Sequence, residues 1–278
     1  MFDLHNNCIR AAAAALLLGT GAALADAPAP VPAAGSWPTG AAAAELGKPR
    51  GPQGDTWASV AKLPDWSGIW ELDWQHGRGL AAMRPTPPKL VPEAQAKLTA
   101  YMAAQKQGED LQPQQANCLP PGMPQIMTQP YPVEFLFSPG KVVILVEAYM
   151  QFRHIYTDGR PHQDDPDPTF MGDSIGHWEG DTLVVDSIGF VPFSNISAGV
   201  GHSDQARIVE RFRRVDADHM LIQTTIIDPK ILAEPWTVVR PYVRDKGDLR
   251  EYICEQNNRD SADDAGRPGE RIGATASH

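Results

Sequence analysis

The chain reads as a mainly β protein, an antiparallel meander that closes into a barrel, with one helix near its N-terminal end. Three observations predict this. From Val133 onward, short β-type runs follow one another through tight turns. No strand alternates with a helix, which argues against a parallel α/β sheet. One stretch alone has clear helix character: Pro92 suits a first helical turn, and Glu93 to Gln105 are good helix formers with Leu98, Tyr101 and Met102 on one face.

Asp65 to Trp74 is a candidate first strand. After the helix, Pro113 to Pro132 is a proline-crowded loop. Val133–Ser138 turns through Pro139-Gly140 into Lys141–Ala148, and Met150–Tyr156 stops at Asp158-Gly159. Ser174–Trp178 returns through Glu179-Gly180-Asp181 as Thr182–Ile188. Arg207–Val215 turns at Asp216-Ala217-Asp218 into His219–Asp228, and Trp236–Arg244 turns at Lys246-Gly247 into Asp248–Glu255. Enough short strands joined by short turns close on themselves, because closure removes unpaired edges.

The first 25 residues have the pattern of a secretory signal: Arg10, a short apolar run from Ala11 to Leu18, and Ala23-Leu24-Ala25 before the expected cleavage. The run is too short to span a bilayer, and no later run is longer. Residues 26–60 are rich in Ala, Pro and Gly and read as a flexible leader; residues 63–257 form the single ordered domain, and 258–278 a loose tail. A periplasmic or secreted product follows. Of three cysteines, Cys8 leaves with the signal, and Cys118 with Cys254 is the expected disulfide of an oxidising compartment. The formal net charge of −10, without a basic cluster, excludes nucleic acid and anionic membrane surfaces as partners. Homo-oligomerisation is left open.

Candidate chemistry concentrates between Met150 and Asp204. Phe152, His154 and Tyr156 alternate along one strand and so share a face. Turned into a barrel, that face would set an imidazole and a phenol beside an aromatic wall. The competing reading is a half-exposed strand. His202-Ser203-Asp204 closes a Gly-rich loop, where an aspartate could orient an imidazole or the Ser-Asp pair could simply build a turn. Arg211 could take a substrate anion, and Trp178 could serve as a platform, although exposed-strand and core roles compete. Gly172-Asp173-Ser174-Ile175-Gly176 matches the nucleophile-elbow pattern, but a strand follows where that device needs a helix. His162 and its acidic neighbours up to Asp167 could suit a hard cation, yet their spacing matches no metal motif.

The run Arg153, Tyr156-Thr157-Asp158-Gly159-Arg160-Pro161-His162, Asp167-Pro168-Thr169 and Ser174-Ile175-Gly176-His177-Trp178-Glu179-Gly180-Asp181-Thr182-Leu183-Val184-Val185-Asp186 resembles a large, mostly uncharacterised group of exported bacterial proteins. His202-Ser203-Asp204, Glu210-Arg211 and Glu251-Tyr252-Ile253-Cys254-Glu255 fit the same pattern. In mechanism and shape the chain is similar to cofactor-independent phenolic acid decarboxylases and phenolic lyases, which are calycin-like barrels; no catalytic residue is carried over from them. The leading expectation is therefore a cofactor-independent periplasmic lyase. It would act on a lignin-derived or other phenolic aromatic, releasing carbon dioxide or formaldehyde through a quinone methide. His154 or His202 would be the general base, Asp204 would orient the imidazole, and Tyr156 would hold the phenolate, with Phe152, Arg211 and Trp178 binding substrate. No cofactor and no metal are expected. The alternatives are a lipocalin-like carrier of a small molecule, and a hydrolase using a metal at His162 or a nucleophilic Ser174.

Overall fold

The computed structural model describes residues 37–73, 86–108, 118–192, 194–197 and 199–254. The expected signal segment and the tail from 258 lie outside these residues, as do residues 113–117 of the Pro113–Pro132 loop.

Among the described residues, nine strands form a closed barrel. They are β1 (Ile69–Leu72), β2 (Val133–Ser138), β3 (Lys141–Val146), β4 (Gln151–Tyr156), β5 (Asp173–Glu179), β6 (Thr182–Ile188), β9 (Arg207–Arg214), β10 (His219–Ile227) and β11 (Trp236–Asp245). Around the ring the order is β1, β11, β10, β9, β6, β5, β4, β3, β2. A small separate pair, β7 (Asn195–Ser197) with β8 (Val200–Gly201), lies in the β6–β9 connection and was not anticipated. Helix α1 (Trp57–Val60) is one turn capped by Thr56, and α2 (Pro92–Lys106) is the expected helix with Pro92 at its start.

The hairpins arise where the turn residues permit them. β5 and β6 are joined by Gly180-Asp181, and Gly180 has φ +74°, a conformation that costs a β-carbon little only when there is none. Two departures stand out. β4 pairs with β5 in parallel, through the single register pair Tyr156–Ile175, so the barrel is mixed rather than a pure meander. Gly176 makes that close approach feasible, since a β-carbon there would sit 2.9 Å from Ile155. The stretch after Gly247, expected as a strand, carries none over residues 248–254, where Arg250 instead donates its backbone N–H to Glu147.

The segment read as a flexible leader is fastened to the outer wall from residue 37 onward. Arg50 bridges to Glu179, Ala43 is fully buried, and Gln223 donates to the carbonyl of Pro38. Small residues without periodicity look loose in sequence, but their backbone carbonyls are good acceptors for side chains on the strands. Cys118 and Cys254 form the expected disulfide. Among the described residues no helix is long and apolar enough to cross a membrane.

Alternation along the strands builds the interior. At one end Trp66 packs against Phe135, Phe137, Trp178 and Phe212, with ring centroids 5.1 to 6.3 Å apart. Next to this aromatic plug lies an ionic network. Arg153 from β4 donates to Glu210 of β9 at 2.5 Å, to Ser187 at 2.8 Å and to Ser174 at 3.2 Å. Beyond it, toward β10 and β11, the interior is not filled.

Candidate functional site

Two concave regions place side chains of interest. The first is the unfilled part of the barrel, a cavity of about 180 Å³. Its wall is the inward face of two paired strands, where Ile222, Thr224 and Ile226 of β10 oppose Arg240, Val238 and Trp236 of β11. The turn at Gln125–Thr128 and the β7 residues Ile196 and Ser197 cover it. Tyr242 lines the cavity and fastens this cover by donating its hydroxyl to the carbonyl of Met127. Trp236 is fixed by its indole N–H, 2.7 Å from the carbonyl of Thr86.

Two ionisable groups line this cavity, Arg240 and Tyr242. Full burial holds the Tyr242 phenol well above its ordinary range, so it stays neutral. Desolvation lowers the pKa of the Arg240 guanidinium, which remains a cation at neutral pH. Among the described residues no carboxylate and no imidazole lines the cavity. Arg240 escaped the sequence reading, although the pattern Trp236, Val238, Arg240, Tyr242 sets one charge on an otherwise apolar face.

The second region is a groove on the outside of the barrel, with a volume of about 470 Å³. It runs between β4 and the crossover at residues 157–172. Of the two directions open for β4, the half-exposed one holds. Arg153 and Ile155 point inward, whereas Phe152, His154 and Tyr156 face out into the groove. The three expected side chains do come together, with ring centroids 5.3 Å apart for Phe152–His154 and 6.2 Å for His154–Tyr156. Arg160 lies over the Tyr156 ring at 3.9 Å. Desolvation, with Lys141 adding a like charge, lowers the pKa of His154, so its imidazole is neutral at pH 7.

The remaining expected residues lie elsewhere. His202 is buried, stacks on Phe190 with ring centroids 5.2 Å apart, and donates Nε2–H to the carbonyl of Met123 at 2.6 Å. Asp204 does not orient it: its carboxylate is exposed and pairs with Lys230 at 2.5 Å. Ser203 grips Asp228 instead, through its hydroxyl at 2.6 Å and its backbone N–H at 2.7 Å. The His202-Ser203-Asp204 run is thus a loop clasp. Arg211 faces outward and donates to the carbonyls of Ala43 at 2.7 Å and Glu45 at 2.6 Å, so it binds the N-terminal strap rather than a ligand. Trp178 is a fully buried member of the aromatic plug and offers no platform.

Ser174 lies on β5 with β6 after it, and its hydroxyl belongs to the Arg153 network. His162 contacts Asp173 at 2.8 Å, while Asp164, Asp165 and Asp167 point into solvent. Among the described residues no group of three or more His, Cys, Asp or Glu side chains is placed to hold a metal.

No family model matches the chain, and comparison with curated proteins likewise finds no match.

Proposed function

We propose that this protein is an exported, lipocalin-like barrel that binds a small aromatic molecule in the interior cavity. One observation carries the reading: a cavity inside the barrel whose lining offers apolar surface, hydroxyls and a guanidinium, but no acid–base pair. General acid–base chemistry requires a group that titrates near the working pH within reach of the substrate. Tyr242 is held neutral and Arg240 remains cationic, so the cavity is equipped to hold a molecule rather than to move its protons. Its volume of about 180 Å³ is close to that of an apolar protein cavity of ~150 Å³ that accepts benzene, which suits a one-ring compound. The sequence resemblance to exported bacterial proteins and the Cys118–Cys254 disulfide support a periplasmic or secreted setting.

The test is equilibrium dialysis of the full-length product against one-ring phenolic acids, esters and alcohols, followed by mass spectrometry. A compound retained with unchanged mass supports the reading, and Ile226→Trp, which fills the cavity from β10, should abolish retention. Retention that survives Ile226→Trp would place the ligand elsewhere and sink it.

A second reading stays in play because of the outer groove. His154, neutral and beside Tyr156 and Phe152, has the character of a general base next to a phenol and an aromatic wall. In the lyase reading it would take the phenolic proton of a bound aromatic while Tyr156 holds the oxygen. For a hydroxycinnamate, the imidazolium would return that proton to the side-chain carbon bearing the carboxylate, giving a quinone methide. The carbon–carboxylate bond would then break, carbon dioxide would leave, and the bond's electron pair would return to the ring. For a side chain carrying CH2OH next to a quinone methide, loss of the hydroxyl proton would release formaldehyde with the same return of electrons to the ring. Loss of either mass from a phenolic compound, abolished in His154→Ala and intact in Ile226→Trp, would favour this groove over the cavity.

A further inference from the structure

We infer that the cavity ligand is an anion, a one-ring aromatic acid whose carboxylate ion-pairs with Arg240. This rests on the cavity being the binding site and adds the chemical class of what it holds.

The observation is a cation without a counter-ion. Arg240 stands at the centre of the inward face of β11, between Val238 and Tyr242 and opposite Ile222. Its side chain lines the cavity but makes no hydrogen bond or ion pair among the described residues. The other interior ions do not serve it. Glu210 is the register partner of Thr224, which also lines the cavity, yet its carboxylate pairs with Arg153 through Oε2 at 2.5 Å and makes no bond to Arg240 through Oε1. A guanidinium taken partly out of water without a carboxylate is unfavourable, and an apolar side chain would fill the same wall without that cost. A ligand that carries the negative charge removes the imbalance.

The geometry of the recognition follows from the chemistry. The planar guanidinium presents parallel N–H donors that match the two oxygens of a carboxylate. The ring would then lie along Ile222, Ile226, Val238 and Trp236. Thr224 and Thr128 supply hydroxyls for a ring substituent such as a phenol.

Calorimetric titration of the full-chain protein with 4-hydroxybenzoate and with its methyl ester tests this. The two share the ring and the phenol and differ in charge. The acid should bind about ten- to a hundredfold more tightly than the ester, the range expected for hydrogen bonds to a charged group. Arg240→Met should bring the acid down to the affinity of the ester. Equal binding of acid and ester by the natural protein would overturn the anion assignment while leaving the cavity reading intact. Binding of neither compound, nor of any uncharged one-ring alcohol, would overturn the cavity reading and this inference with it. If Arg240→Met fails to fold, the comparison of acid and ester on the natural protein, repeated at high salt, still decides. A preference for the acid that weakens with salt supports the ion pair, and no preference refutes it.

Discussion

The Arg153–Glu210 pair can be tested by removing its members singly and together. Both side chains are out of solvent, with exposures of 1% and 0%, and their closest atoms are 2.5 Å apart. Neither group is fully satisfied: Nη1 of Arg153 and Oε1 of Glu210 have no partner. Arg153→Leu leaves a carboxylate alone inside the barrel, which costs about 3–5 kcal/mol. At ~2–4 °C per kcal/mol for a domain of this size, the melting temperature should fall by roughly 6–20 °C. Glu210→Leu should do much the same by stranding the guanidinium. In the double variant Arg153→Leu/Glu210→Leu both charges are gone, and Ser174 and Ser187, whose hydroxyls lie 2.8 Å apart, can satisfy each other. Most of the lost stability should return, because buried ion pairs are replaced by well-packed apolar residues at little cost. Calorimetric melting and urea titration read all four proteins. A double variant as unstable as the sum of the singles, or an Arg153→Leu protein within about 2 °C of the natural one, would refute this account of the interior.

Trp66→Ala should cost about 3–5 kcal/mol in a urea titration, because it empties the centre of the aromatic plug formed with Phe135, Phe137, Trp178 and Phe212; a change below ~1 kcal/mol would mean the plug is not the core. Reducing Cys118–Cys254, which are 136 residues apart in sequence, should lower stability by about 2–5 kcal/mol, read as a shift in urea midpoint with and without reductant. Burial lowers the pKa of His202, so below the unfolded value of about 6.5 the unfolded chain binds the extra proton first. The stability it contributes is present above that pH and is lost as pH falls toward the folded value. The urea midpoint should therefore drop between pH 7.5 and 5.5 in the natural protein and less steeply in His202→Gln. Equal slopes would assign the effect to another group.

The barrel was legible because its hairpins announce themselves locally, in Pro139-Gly140, Gly180-Asp181 and Asp216-Ala217-Asp218, and because each strand alternates. What local sequence does not carry is which face turns inward. On β4 the aromatic face of Phe152, His154 and Tyr156 looks more suited to an interior than one bearing Arg153. The choice is decided by Glu210, 57 residues away, which supplies the counter-charge that lets Arg153 turn in. The same distance effect hid the strap role of Arg211, whose partners are backbone carbonyls 168 and 166 residues earlier. It also hid the fate of Asp204, which meets Lys230 rather than its neighbour His202. The pair β7–β8 is too short to have a periodicity. Arg240 was within reach of the alternation argument, since it is the one charge on a face otherwise made of Trp236, Val238 and Tyr242.

A ring of strands is the usual escape from sticky edges, since every backbone N–H and C=O along the sheet is spoken for. This ring closes thinly in two places: β4 meets β5 through one register pair, and β1 meets β2 through two. Much of the β4 rim is therefore a strand border without a strand beside it, and its shelter is the crossover, pinned by the Thr169–Phe190 bridge and by Pro166 against Gly189. Near the second gap the shelter is the last described segment, where Tyr252 packs on Tyr131 and Tyr149 and Cys254 is tied to Cys118. Resistance to self-association thus rests on two coverings rather than on the sheet itself. One of them is secured by a bond that a reducing compartment would cut.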